Sequence, residues 1–113
     1  MNTRNDLPAG RQEKIAGLLR ELSAQFLARE ANRTSLITVT HANVSADLKK
    51  GTIFISVLPS SAENAALNFC KRHRGDLREH LKKNLETKSV PFLDFEIDYG
   101  EKNRQRIDEL LRE

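Results

Sequence analysis

Cys70, His73 and His80 place a thiol and two imidazoles close together in the chain, the side chains that a metal ion or a nucleophile with its base would use. Their spacing argues against a shared metal ion. In a straight helix His73 and His80 stand about 10 Å apart along the axis, too far for two ligand bonds of about 2 Å each to share one ion, and a bend at Gly75 is no evident remedy. Cys70 reads more simply as a small core residue, since free cysteine is commonly buried. His41 and Asp47 could pair for proton transfer, but Ser45 and Asp47 read better as turn-forming side chains that bond nearby backbone. No G-x-x-x-x-G-K or G-x-S-x-G pattern occurs. The expectation is a protein with no catalytic residues, no metal or other cofactor and no small-molecule substrate.

The chemistry that remains is basic. In "CKRHRGDLREHLKK", residues 70–83, Arg74, Arg78 and Lys82 recur every four positions, with Lys71, Arg72 and Lys83 flanking them. At helical spacing they form a stripe of cations on one face. A glycine in a helix interior costs about 1 kcal/mol relative to alanine, so Gly75 marks a tolerated defect, a helix end, or a point of close approach to the backbone. Ala66, Cys70, His73, Leu77, Leu81 and Leu85 keep one apolar phase through this stretch. His73 breaks its chemistry, a local conflict of the kind found at kinks and functional sites. Gly75 lies about 200° round the helix from His73, away from the core. Cations in a row beside an accessible glycine suit a phosphate backbone. The competing reading is a solvated helix face that Asp76, Glu79 and Glu86 partly neutralise.

The elements that must position these residues follow from periodicity. "MNTRNDLPAG" predicts a flexible arm over residues 1–10. Ile15, Leu18, Leu19, Leu22, Phe26 and Leu27 then share a helical face, ending near Ala31. Residues 36–45 are rich in β-branched side chains and predict a first strand; "TIFISVLP" alternates Ile53, Ile55 and Val57 as a second, antiparallel to the first because the link is short. Residues 60–86 predict an interrupted helix with Ser60 or Ser61 as N-cap and Glu63 at its positive end. "VPFLDFEID" alternates Leu93, Phe95 and Ile97 with Asp94, Glu96 and Asp98, a strand with one buried face. A last helix or half-ordered tail carries Ile107, Leu110 and Leu111. The order α, β, β, α, β, α predicts an α+β protein, helices layered on a three-stranded sheet.

The whole chain sets the bounds. At 113 residues with 38% hydrophobic content it predicts one domain, residues 11–113. The formal charge of +3 hints at an anionic partner. A single cysteine and no long apolar run predict a cytoplasmic protein with no membrane partner.

Three strings carry a resemblance. "LITVTHANVSADLKKGTIFISVL" resembles the β1–β2 hairpin of the ribosome-binding factor A family, bacterial assembly factors of the small ribosomal subunit, with "VSADL" as a shortened form of its Val-x-x-Ser-x-Asp-Leu pattern. "RGDLREHLKK" is similar to the family's glycine-led helix start. "SVPFLDFEIDYGEKNRQRIDELL" resembles its Val-Pro-x-Leu-x-Phe-x-x-Asp strand and closing helix. The likeness runs from about Arg11 to Leu111. It implies a type II KH-like fold, a three-stranded sheet with helices packed on one face and a kinked helix pair at Gly75, in which His73, Arg74 and Gly75 stand at the family's Ala-x-Gly kink. His73 departs from the small residue, and Gly51 stands where the family usually has alanine.

By the resemblance, the protein would bind the maturing small ribosomal subunit through its rRNA, assist late maturation and rRNA processing, and dissociate on completion, acting as a monomer. The RNA-binding residues it implies are Lys71, Arg72, Arg74, Gly75, Arg78, Lys82 and Lys83, with Arg11, Lys14, Lys49 and Lys50 as peripheral contacts. Tyr99 is the only tyrosine, tryptophan is absent, and the phenylalanines fall mostly at core phases, so recognition by shape and backbone is expected and base stacking is not. The alternative is a protein-binding or dimerising module using the acidic edge of the last strand, Asp94, Glu96 and Asp98.

Overall fold

The computed structural model of the chain describes residues 8–30, 36–85 and 90–112. Helix α1 spans Pro8–Glu30. It starts three residues before the expected Arg11, with proline at the first helical position, where its missing N–H costs nothing; the rest of the predicted arm lies outside the described residues. Strands β1 (Leu36–Val44) and β2 (Lys50–Leu58) pair antiparallel, as the short link requires. A bulge at Thr40 shifts the register, so Val39 faces Ile55 while His41 faces Phe54. The connection is a side-chain-braced turn: Ser45 Oγ donates to Asp47 Oδ1 at 2.6 Å, which also accepts from the Lys49 N–H, and Leu48 takes φ 62°. These hydrogen bonds, with the Ser45 bond first, hold the Asp47 carboxyl below its ordinary value.

After the cis Leu58–Pro59 bond, a 3-10 turn over Ser60–Ala62 leads into α2 (Glu63–Arg72). The expected serine cap is not made. Ala62 occupies the N-cap position of α2 with no side-chain cap bond, because both serines are taken up in the tighter turn. Helix α3 (Arg74–Asn84) follows after one residue, His73, and strand β3 (Phe92–Ile97) leads into α4 (Tyr99–Arg112). The sheet order is β1-β2-β3, with β3 parallel to β2 and Lys50 opposite Phe92. A parallel return needs a crossover, and α2 with α3 supplies it.

The core lies on one face of the sheet. Ile53, Ile55, Leu93, Leu77, Leu81, Leu19 and Cys70 are wholly buried there, and Ala66 and Leu85 complete the predicted stripe of α2 and α3. Gly51 brings α1 close to β2: a Cβ added to it would lie 2.9 Å from Leu19 Cδ2. The opposite face of the sheet, carrying His41, Phe54, Lys50, Phe92 and Glu96, turns outward. Among the described residues no helix is long and apolar enough to cross a membrane.

Candidate nucleic-acid interface

The interruption between α2 and α3 is centred on His73, the first residue of the expected kink triplet. Its φ of −93° and ψ of 9° lie in the bridge region open to any L-residue. The backbone bonding almost continues: the His73 N–H donates to the Phe69 and Cys70 carbonyls, and the His73 carbonyl accepts from the Leu77 N–H at 2.9 Å. The ring explains why histidine serves in place of a small residue. It packs 4.5 Å from the Phe69 ring and 6.4 Å from Phe26 of α1, with Nδ1 3.4 Å from Asp76 Oδ2.

Gly75 therefore sits inside α3, one residue past its start. Its φ is not positive, and a Cβ built on it meets nothing within 4 Å among the described residues. Neither turn geometry nor packing against the described residues calls for glycine here. What the missing side chain provides is bare backbone at an exposed position, beside exposed Lys71 and Arg72 in the last turn of α2.

The cationic stripe is divided. Arg74 reaches round the β3 edge: its Nη2 lies 3.4 Å from Asp94 Oδ1 and its guanidinium 4.9 Å from the Phe92 ring centroid. Arg78 Nη2 donates to the Val90 carbonyl at 3.1 Å. Both arginines fasten α3 to β3 and the residues before it. Lys82, exposed, is 3.4 Å from Glu79, and Lys83 is exposed in the last turn of α3, about 12 Å along the helix from its start. Lys49 and Lys50 lie where β3 begins, since the Phe92 N–H donates to the Lys49 carbonyl at 2.8 Å. Arg11 and Lys14 are exposed on α1 at the same end, where the Gln12 side-chain amide donates to the Val44 carbonyl.

Burial governs the cysteine, and ring packing holds the two histidines. Cys70 is buried, and desolvation pushes its thiol up to about 11, well above where a thiolate would form near neutrality. His73 and His80 both pack against Phe26, the His80 ring at 5.9 Å. The acidic edge is largely committed within the chain. Asp94 holds Arg74; Asp98 accepts from the Thr40 hydroxyl and, at 3.0 Å, from the Glu101 N–H. Those bonds, Thr40 first, lower the Asp98 pKa. Glu96 alone of the three is exposed.

Phe26, Phe69 and Phe95 keep the expected core phase, whereas two phenylalanines depart from it. Phe26 and Phe95 are buried, but Phe54 and Phe92 sit on the outward face of the sheet, Phe92 being 54% exposed. The alternation of "FLDFEI" carries this signal, because Phe92 is out of phase with Leu93 and Phe95.

Comparison with known proteins agrees with this architecture. A crystal structure of ribosome-binding factor A from Thermus thermophilus superposes with a TM-score of 0.69 at 18% identity, over 76% of this chain and 94% of that one. A Thermus thermophilus ribosome binding factor A model, fitted into a cryo-EM map of a 30S–RbfA complex, superposes at 0.54 and 20% identity, over 70% and 90% of the two chains. The ribosome-binding factor A of Thermomicrobium roseum is 30% identical over 110 residues, 95% of this chain and 85% of that protein. The family model "Ribosome-binding factor A" matches residues 11–111, and with this coverage the chain belongs to the ribosome-binding factor A family.

Proposed function

We propose that this protein binds the maturing small ribosomal subunit through its rRNA and assists late maturation, leaving when the subunit is complete. Residues 11–113 act as one RNA-binding domain, monomeric and cytoplasmic, without chemistry of its own. The observation that carries this reading beyond family membership is the His73 break. Lys71 and Arg72 before it and the bare backbone of Gly75 after it are all exposed, which suits a polyanion whose sugar-phosphate chain comes close. Lys82 and Lys83 extend the contact along α3. Arg74 and Arg78 act mainly as fasteners that set the angle of α3, and Lys49, Lys50, Arg11 and Lys14 contribute at the periphery.

The test is sedimentation of tagged protein with ribosomal particles from its own cells at low and moderate salt. Comigration with free small subunits, weakened by salt and absent from complete ribosomes, is the expected result. Protein left at the top of the gradient at both salts overturns the reading. Lys71→Glu with Arg72→Glu should reduce comigration at least tenfold while lowering the thermal midpoint only modestly, because both side chains are exposed and acids replace cations in the last turn of α2. Gly75→Val should weaken it too, because a branched side chain would then cover the backbone.

A further inference from the structure

The outward face of the sheet carries two ring platforms. His41 and Phe54 face each other across β1 and β2 with ring centroids 5.8 Å apart, and His41 Nε2 is held 2.9 Å from Asn43 Oδ1. Phe92, on β3, lies beneath the Arg74 guanidinium. Phe54 is opposite Glu96, so Phe92 starts four residues upstream of that rung, about 13 Å along the strand. The rung between them, Asn43, Thr52 and Asp94, is polar. Lys50 stands opposite Phe92.

We propose that this face binds unpaired bases of single-stranded RNA, one stacked on the Phe92–Arg74 pair and another on the His41–Phe54 pair. The inference rests on the RNA-binding reading and adds what part of the RNA is read and where. Rings separated by a polar rung do not make the continuous apolar patch that a protein partner fills; flat π-surfaces beside cations match a nucleic-acid strand. Arg74 also joins the two surfaces. Its backbone opens α3 beside Gly75 while its head group covers Phe92, so a strand leaving the helix break over the β3 edge arrives at the first platform. Asp94 is neutralised by Arg74, and exposed Glu96 can accept from an exocyclic amino group such as cytosine N4. A duplex hides its bases from so flat a surface.

The experiment is fluorescence polarisation with a labelled mixed-sequence RNA octamer, single-stranded or annealed to its complement. The expected result is tighter binding of the single strand. Phe92→Ala and His41→Ala should each weaken it by about fivefold or more, with an unchanged salt slope because no phosphate contact is lost, and Phe92→Tyr should bind like the parent. Thermal melting of each variant checks the fold. Equal binding of single strand and duplex, no octamer binding, or parental affinity in the alanine variants overturns the proposal. Sedimentation of the Phe92→Ala, His41→Ala variant separates the two readings: undiminished comigration with small subunits leaves the function standing and removes this face from it. Lost comigration without octamer binding assigns the face to a ribosomal protein and also overturns the proposal.

Discussion

Ser23 is wholly buried in the stripe of α1, and its hydroxyl has no hydrogen-bond partner among the described residues. Burying an unpaired hydroxyl costs about 1–3 kcal/mol, so Ser23→Ala should stabilise the fold by about 1 kcal/mol, raising the thermal midpoint by several degrees. An unchanged or lower midpoint would show that the hydroxyl is satisfied. At Gly51 the sign is opposite. A methyl group there forces the end of the buried Leu19 side chain aside, a displacement a flexible side chain absorbs, so Gly51→Ala should cost less than about 1 kcal/mol and Gly51→Val about 1–3 by overpacking, as denaturant titration would show. The phase of His73 on the core stripe was legible in the sequence; its ring partners were not. Nor could the spacing of Arg74 and Arg78 distinguish fasteners from phosphate ligands, since Asp94 and Val90 stand 20 and 12 residues away in the chain.

Among the elements, strands read well because alternation is a local property: Ile53, Ile55, Val57, Leu93, Phe95 and Ile97 all point into the core. Helix ends read less well. The serine cap of α2 was lost to a 3-10 turn, and the start of α4 depends on a contact between distant segments, Thr40 with Asp98. Asp98 accepts the Glu101 N–H in the first turn of α4, as an N-cap does. Its pKa is lowered from the ordinary 3.8. A depressed carboxylate stabilises at pH above its unfolded value and loses that contribution as pH falls through the folded one. Helicity of α4 should thus persist at pH 5 and decline below about 3.8, whereas Asp98→Ala should lack that acid-dependent step and cost about 1 kcal/mol at neutral pH. Circular dichroism across pH 2–6 in both proteins is the measurement.

For the molecule as a whole, the order of elements was enough to fix an α+β layer, because three strands and a long crossover leave few arrangements. What the order could not show was the exposure of the apolar side chains of α4. Ile107, Leu110 and Leu111 are 56%, 61% and 79% exposed, whereas β2 is central and its Ile53 and Ile55 wholly buried. Hydrogen exchange should therefore rank the amides of α4 among the fastest and those of β2 among the slowest, tracking local opening and global unfolding respectively. Similar protection in both would show that α4 is part of the cooperative unit.

The bulge at Thr40 shapes the free edge of the sheet. β1 is an edge strand, and a long regular edge invites a neighbouring chain to extend the sheet. Thr40 interrupts that template and ties its hydroxyl to Asp98 across the sheet, so its backbone groups cannot present an even row to a second molecule. A variant lacking Thr40 would restore the regular ladder without inverting the faces of the strand, and would trade colloidal stability for regularity.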